Sequence, residues 1–589
     1  MEEPVKKALS FCKEHPYITV FLIAFLPRLL FTFNITTMSI SGDEIFSFWP
    51  AAKLAGYDWS GVMDKYRYYG VGYTLLLAPF FQLIKDSVVL YRTLVIIMAL
   101  FQSLCAPLCC HLLRRFFHVR DIKFLILAST ATVFMTPIRA VYTYPEFLYD
   151  LLIWVIVWIL LKLSTITENK KRIGFTILLW AVTGYACTVH TRGVTIVAAI
   201  LAAALIYQLT LKKKLLNWLI TILLAAAAIL FYKFGINLLM SFLNVQHAVG
   251  NTSVAVGTGI LHQLLTEPKT WTAFAAIVIG QFNEAVMMSL GLAVPVTWAF
   301  AKTAFSKKEW SVENHPALLA GWFCIIALMI TIGGQAISQS GSVYEAMFNG
   351  GDWDAFRNVT YGRYFAAYAA PLLMVGLYLL RIPEMRQKVL QPALITTALL
   401  QGYFVFNIIP YINHFNGSVW SYAPFFFTRG FQDNISTAAY LAGTFVVFGF
   451  QVVYAVLSTK YKTQWILPMV CVGLIYVYGF NCFHHEGYRS RQNSDATQAG
   501  IAYLQTVPKD STIYIKDVPA GSAGQGVAWL YQFALPDRPV QLYKDEIPSQ
   551  QDAVVVTNDE NNQILKQAGF NFRNLSDGWY AYERTGENS

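Results

Sequence analysis

Long runs of apolar residues that carry almost no charge recur along the whole chain, and they constrain its fold more than any other feature. Residues 216–232 and 318–332 are two such runs. Lipid accommodates many runs of this length, and a helix satisfies its own backbone hydrogen bonds there. Segments of about 17–25 apolar residues predict about thirteen transmembrane helices. With 56% hydrophobic and 13% charged residues, the chain is predicted to be an all-α polytopic membrane protein, and a soluble globular fold is excluded.

Lysines and arginines lie in short clusters between the apolar runs, such as residues 170–172 and 212–214. This placement assigns the net charge of +10 to cytoplasmic connections, so no nucleic-acid partner is predicted. The positive-inside rule then places the N-terminus in the cytoplasm, and an odd number of spans places the C-terminus outside. The polar loops, including residues 38–87, fall on the outer side. We therefore expect the outer face to carry the function.

The composition becomes polar from about residue 492. Three short strand patterns, at residues 512–518, 539–543 and 552–558, alternate there with helical stretches. Strands that alternate with helices predict a small α/β domain. The predicted organisation is a membrane domain, residues 1–491, whose outer loop 38–87 carries the site, followed by an extracytoplasmic α/β domain, residues 492–589.

Acidic residues stand at the predicted outer ends of two spans. Asp43 and Glu44 follow the first span, and Glu146 opens a later one after Pro145. Adjacent carboxylates at the edge of a partly dry cavity suit a general base or a metal, because burial and mutual repulsion make one of them more basic. The alternatives are solvated loop acids for the pair and a favourable interaction with the helix dipole for Glu146. All three are candidate catalytic residues.

Basic residues recur at the same predicted depth. A guanidinium group binds phosphate through two parallel hydrogen bonds, and a charge at the membrane edge is a functional hypothesis by default. The alternative is that each side chain anchors its helix by reaching towards the headgroups. The candidate phosphate-binding residues are Arg92, Arg139, Arg192, Arg363, Lys65 and Arg67.

Tyrosines adjoin these charges. Tyr68, Tyr69, Tyr144 and Tyr364 are candidates for binding a sugar or an acceptor, because aromatic faces beside charges suit sugar rings. The alternative is the aromatic belt that tyrosines form at membrane surfaces. The histidines near the outer side lack ligand spacing, so no obligatory metal or other cofactor is predicted, and a divalent metal is the alternative.

In combination, the motifs resemble the glycosyltransferase C-superfold of polyprenyl-phosphate-sugar-dependent enzymes. The similarity is to the branch of protein O-mannosyltransferases and lipid A aminoarabinose transferases, and it covers the whole membrane part. It rests on five motifs: Asp43-Glu44, YYGVGYTLLLAPFF at 68–81, Tyr144-Pro-Glu146, HTRG at 190–193 and GRYFAAYAAPLL at 362–373. Many such enzymes have His-Pro-Pro where this chain has Tyr69-Gly-Val-Gly72. This departure bears on the substrate more than on the fold.

The resemblance implies an inverting transfer of a sugar from a polyprenyl-phosphate donor to an extracytoplasmic acceptor, which is a cell-envelope glycan, a lipid or a protein. Asp43 would deprotonate the acceptor hydroxyl, while arginine and lysine stabilise the departing phosphate. The compact loops favour a bacterial plasma membrane.

Two other classes of function compete with this interpretation. One is a transporter or flippase of a lipid-linked saccharide. Inverted repeats and broken helices are typical of transporters, and neither is evident in the sequence. An assembly or receptor scaffold would use the C-terminal domain to bind a partner. The position of that domain relative to Asp43 is the observation that separates acceptor recognition from the scaffold interpretation.

Overall fold

Helices make up nearly all of the membrane part of the computed structural model. It describes residues 7, 10–38, 42–63, 70–135, 142–243, 262–306, 310, 315–360, 362–411, 414–416, 434–460, 466–480, 487–516, 522–543, 546–548, 550, 552–576 and 578–584. The helices of the membrane part are α1 (Pro16–Thr32), α2 (Gly42–Leu54), α3 (Val71–Leu83), α4 (Ser87–Arg115), α5 (Ile122–Phe134), α6 (Pro145–Ser164), α7 (Asn169–Val189), α8 (Gly193–Leu211), α9 (Trp218–Leu243), α10 (Thr270–Met288), α11 (Ala293–Ala304), α12 (His315–Phe348), α13 (Ala366–Leu380), α14 (Pro383–Asn407), α15 (Thr437–Lys460) and α16 (Ile466–Phe480).

Among the residues that the structure describes, seven helices are long and apolar enough to cross a membrane, namely α4, α6, α7, α8, α9, α12 and α14 with the turn that follows it. The pair α10 and α11 meets the same test together. Shorter apolar helices include α1, α3, α5 and α13. These helices confirm the predicted class, an all-α polytopic membrane protein, while the count of thirteen spans stays a prediction.

Local sequence signals set several helix starts. The Asp86 side chain accepts a hydrogen bond from the backbone N–H of Val89 at 2.8 Å, which caps α4. Asp121 caps α5 in the same way through the N–H of Lys123 at 3.0 Å. Such caps satisfy donors that a helix start leaves without partners. Pro145 opens α6 at a position where its missing N–H costs nothing.

A sharp bend of 108° separates α10 from α11. Leu290 and Gly291 both have left-handed φ angles there, of 49° and 86°. The carbonyl of Gly291 leaves the helical pattern and accepts a hydrogen bond from Gln451 Nε2 at 2.7 Å. A side chain from α15 thus satisfies backbone that would otherwise be unpaired inside the protein. This break is not among the features predicted from the sequence.

A five-stranded sheet forms the C-terminal region. Its strands are β3 (Thr512–Lys516), β4 (Val540–Leu542), β5 (Ala553–Thr557), β6 (Asn571–Ser576) and β7 (Trp579–Glu583), while β1 (His414–Asn416) and β2 (Asn434–Ser436) form a separate pair. The order is β4-β3-β5-β7-β6, with parallel pairing in β4-β3-β5 and antiparallel pairing in β5-β7-β6. The helices are α17 (Gly487–Thr506), α18 (Ser522–Ala534) and α19 (Gln563–Gln567). The predicted α/β character and the first three strands are confirmed, and the last two strands were missed.

Candidate active site

Glu146 lies at the centre of a cluster of charged side chains at the start of α6. Its side chain is only 2% exposed. Its Oε1 atom accepts hydrogen bonds from Arg192 Nη2 at 2.6 Å and from Arg363 Nε at 2.5 Å. One buried carboxylate oxygen therefore joins two guanidinium groups that come from distant parts of the chain.

Arg192 lies in the short turn between α7 and α8. The turn requires glycine at position 193, because a Cβ atom there would collide with the backbone of Cys187. Arg192 Nη1 donates to the backbone carbonyls of Arg363 and Tyr364, at 3.0 Å each. Its guanidinium carbon also lies 4.9 Å from the centre of the Tyr364 ring, which is within cation–π range. Arg192 thereby holds the segment that carries Arg363.

Arg363 belongs to a single 3₁₀ turn, Gly362–Tyr364, and its side chain is 5% exposed. Its Nη1 atom forms an ion pair with Asp43 Oδ2, and its Nε atom bonds to Glu146. Its guanidinium carbon lies 4.6 Å from the centre of the Tyr144 ring. The planar fork of an arginine suits this use, because its donors point to different acceptors at once. Arg363 connects the start of α2 to the start of α6.

Asp43 and Glu44 are adjacent in sequence but face different surroundings. Neighbouring side chains on a helix point about 100° apart. Glu44 is fully buried, and its Oε1 accepts from Tyr91 Oη at 2.7 Å and from the N–H and hydroxyl of Thr143 at 2.9 and 2.8 Å. Asp43 pairs with Arg363 and, at 17% side-chain exposure, is the most open charged group of the cluster. Asp43 is thus the carboxylate that a ligand can reach.

His190 is a member of the cluster that the sequence analysis did not select, although it lies in the HTRG motif. Its Nδ1 accepts the backbone N–H of Arg192 at 3.1 Å, and its Nε2 lies 3.4 Å from Glu146 Oε1. Burial, followed by the charge of Arg192, lowers the pKa of His190 to about 4, so the ring is neutral at pH 7. A second missed group adjoins it: Tyr149 and Tyr368 share a hydrogen bond of 2.5 Å between their hydroxyls.

Of the remaining predicted residues, Arg92 lies in the described part of the chain and the others do not. Arg92 donates from Nε to the carbonyl of Ile35 at 2.8 Å and from Nη2 to that of Phe33 at 3.2 Å, so these contacts tie it to the chain just after α1. Five predicted residues lie outside the described part of the chain: Lys65, Arg67, Tyr68, Tyr69 and Arg139.

The cluster places two guanidinium groups beside a partly exposed carboxylate. Arg192 Nε is buried and has no hydrogen-bond partner among the residues that the structure describes. Guanidinium donors at a membrane edge suit a phosphate, and Asp43 is the neighbouring proton acceptor. Among the same described residues, no group of three His, Cys, Asp or Glu side chains is arranged to hold a metal ion.

No protein-family model matches the sequence, and no curated protein matches it. Several solved structures are similar to it. ArnT from Cupriavidus metallidurans bound to undecaprenyl phosphate has a TM-score of 0.54 at 13% identity, covering 97% of this chain and 99% of ArnT. Its apo state has a TM-score of 0.52 at 14% identity, covering 99% and 100%. An oligosaccharyltransferase from Archaeoglobus fulgidus, tethered with an acceptor peptide, has a TM-score of 0.42 at 13% identity, covering 90% of this chain and 64% of that one.

The likeness to ArnT extends over the whole chain, including the C-terminal domain. It shows that this chain shares the fold of ArnT, as the resemblance to the aminoarabinose transferase branch predicted. A shared fold does not by itself define an activity, which depends on the residues of the site.

Proposed function

We propose that the protein is an inverting membrane glycosyltransferase that moves a sugar from a polyprenyl-phosphate donor to an extracytoplasmic acceptor. The observation that carries the proposal is the contact set of Arg363, which joins the accessible Asp43 to the buried Glu146. A guanidinium group that can bind phosphate thus lies beside a carboxylate that can accept a proton. The fold of ArnT, which binds undecaprenyl phosphate, supports a lipid phosphate as the ligand.

In the proposed reaction, the acceptor hydroxyl attacks the anomeric carbon of the donor sugar. Asp43 takes the hydroxyl proton as the new carbon–oxygen bond forms. The bond between the anomeric carbon and the phosphate oxygen breaks, and polyprenyl phosphate leaves with that electron pair. The leaving phosphate gains one negative charge, which Arg192 and Arg363 stabilise where it develops. No step requires a nucleotide, a metal or another cofactor.

Donor binding would change the partner of Arg363. In the structure, Asp43 occupies Nη1 of this arginine. We propose that the donor phosphate replaces Asp43 at Arg363, since the side chain of Asp43 is the more exposed of the two carboxylates that Arg363 contacts. The exchange would release Asp43 to act as the base, while Glu146 keeps both arginines in place.

Purified protein in lipid tests the proposal, with release of polyprenyl phosphate measured for a panel of polyprenyl-phosphate sugars and acceptors. We expect Asp43→Asn to lower transfer by about 10²–10⁴-fold, the usual contribution of a general base, while donor binding persists. Asp58→Asn is the matched control, because Asp58 is an exposed acid of the same loop. Transfer by Asp43→Asn at the wild-type rate would remove Asp43 from the reaction.

The acceptor, orientation and location belong to the same proposal. The proposed acceptor is a cell-envelope glycan, a lipid or a protein, reached at the outer face. The proposed location is a bacterial plasma membrane, with a cytoplasmic N-terminus and an extracytoplasmic C-terminal domain, as the distribution of Lys and Arg favours.

A second candidate function, transport of a lipid-linked saccharide, is favoured by one observation. The bend between α10 and α11 lies one helical turn after Glu284, a fully buried carboxyl. Neither of its oxygens has a hydrogen-bond partner among the described residues. Broken helices with buried acids are typical of transporters. A flipping assay in vesicles separates the two functions: translocation that persists in Asp43→Asn and is lost in Glu284→Gln would favour transport.

A further inference from the structure

The C-terminal domain contacts the membrane part at the outer loop that carries Asp43. Trp529 of α18 donates from Nε1 to the carbonyl of Val62 at 3.1 Å. In the opposite direction, Trp59 of the outer loop donates from Nε1 to the carbonyl of Pro536 at 3.1 Å. Two indole hydrogen bonds, one from each side, therefore fix the domain against the loop.

Phe533, also on α18, fills the centre of this contact and is 1% exposed. It stacks on Phe48 of α2, with 5.4 Å between ring centres. It forms T-shaped pairs with Tyr91 of α4, at 5.8 Å between ring centres, and with Phe81 of α3, at 6.4 Å. One side chain of the C-terminal domain thus packs against three helices of the membrane part. Aromatic pairs at these distances add to the stabilisation from buried area.

Tyr91 connects this aromatic contact to the active site. Its ring touches Phe533, and its hydroxyl donates to Glu44 Oε1 at 2.7 Å. The same Oε1 atom of Glu44 also accepts hydrogen bonds from Thr143, and Glu44 is the residue next to Asp43 in the first turn of α2. Two contacts therefore lead from the C-terminal domain to the helical turn that holds Asp43.

We propose that the C-terminal domain is a positioning part of the active site, in which Phe533 orients Tyr91, and Tyr91 orients the Glu44-Asp43 turn. The domain would then serve catalysis from behind the site, in addition to any contact with the acceptor. Phe533 and Tyr91 are positioning residues, since neither contacts the reacting groups. The kinetic part of this inference rests on the proposed transferase function.

The kinetic test uses the full-length protein in lipid. We expect Tyr91→Phe, which removes only the hydroxyl, and Phe533→Ala each to lower kcat about 10–100-fold, because misplacement of a catalytic group by about 1 Å costs about 10²-fold. The KM for the donor should change less than about twofold, since the phosphate contacts remain. Phe533→Leu, which restores a large apolar side chain, should recover most of the loss. Phe572→Ala is the matched control, because Phe572 is 43% exposed on β6 of the same domain.

A double-mutant cycle separates positioning from loss of fold. The Tyr91→Phe/Phe533→Ala double variant should be no slower than the slower single variant, because both substitutions interrupt the same path. Independent effects that multiply would overturn the proposal. So would a wild-type kcat in Phe533→Ala, or a loss that matches only the unfolded fraction seen in size-exclusion chromatography.

Chemical labelling at position 43 tests the positioning role even if the wild-type protein transfers no sugar. In an Asp43→Cys background, maleimide modification at position 43 is followed by peptide mass spectrometry. Its rate reports how the first turn of α2 presents the side chain at position 43. We expect Phe533→Ala to change that rate at least about threefold, and Phe572→Ala to leave it unchanged. Equal rates in both variants would refute the positioning role. Absent transfer with a changed rate would refute the transferase function alone.

Discussion

Replacement of Glu146 by glutamine tests whether one buried carboxylate holds the two arginines together. The side chain is 2% exposed, and both guanidinium groups bond to the same oxygen, at 2.6 and 2.5 Å. Removal of one partner from a buried ion pair costs about 3–5 kcal/mol, because the remaining charge stays buried without compensation. Glutamine keeps one acceptor oxygen, so we expect the lower end, about 3 kcal/mol. That value is about a hundredfold increase in the unfolded-to-folded ratio.

The assay is reversible unfolding in mixed micelles by titration with dodecyl sulfate, followed by circular dichroism. Glu168→Gln is the matched control: Glu168 pairs with Lys171 at 2.6 Å, but these side chains are 61% and 63% exposed. An exposed pair contributes about 0–1 kcal/mol. The Glu146→Gln/Arg192→Gln double variant should lose less free energy of unfolding than the sum of the two single variants. The second substitution removes the arginine charge that Glu146→Gln leaves without its partner. A Glu146→Gln loss no larger than that of Glu168→Gln would refute the argument.

Four further predictions concern the turn, the histidine, metals and orientation. Gly193→Ala should strongly reduce the yield of folded protein, since its Cβ atom meets the Cys187 backbone, whereas Gly174→Ala, in open space, should be tolerated. His190→Gln should leave the shape of the pH–rate profile unchanged between about pH 6 and 8, because the lowered pKa of His190, about 4, keeps the ring neutral over that range. A chelator such as EDTA should not lower transfer, because hydrogen bonds and arginines already occupy the acids of the site; a loss reversed by a divalent ion would contradict this. A cysteine at Ser60, an exposed position in the predicted outer loop, should react with an impermeant maleimide only from outside; labelling from the cytoplasmic side alone would refute the proposed topology.

The membrane fold could be predicted from the sequence because the features that determine it are local. Apolar runs of sufficient length predict helices whatever lies elsewhere in the chain, and the seven long apolar helices agree with that prediction. The bend after α10 was missed, since the residues at the break, such as Leu290, belong to an apolar run. Only the three-dimensional setting, with Gln451 bonded to the carbonyl of Gly291, makes a break favourable there.

The residues of the site could be predicted from their chemical type, but the partner of each residue could not. Asp43, Glu146, Arg192 and Arg363 were selected for their chemistry at the membrane edge. Their pairing depends on contacts across 320 positions for Asp43 with Arg363 and 217 positions for Glu146 with Arg363. No local pattern encodes such pairs. The same limit applies to His190, whose role follows from its neighbours, and to Arg92, whose contacts with backbone carbonyls no spacing would indicate.

The charge balance of the cluster explains why its two accessory acids have different surroundings. Glu44 accepts from neutral donors, the hydroxyl of Tyr91 and the N–H and hydroxyl of Thr143, so these contacts draw no positive charge from the arginines. Glu146 contacts both arginines and is almost completely buried. A phosphate that approached would therefore compete most readily with Asp43, which is the more exposed acid. In the proposed reaction, binding of the anion and release of the base are one event, and a Glu146 variant should impair donor binding as well as stability, because the arginines would no longer be held at a fixed distance from each other.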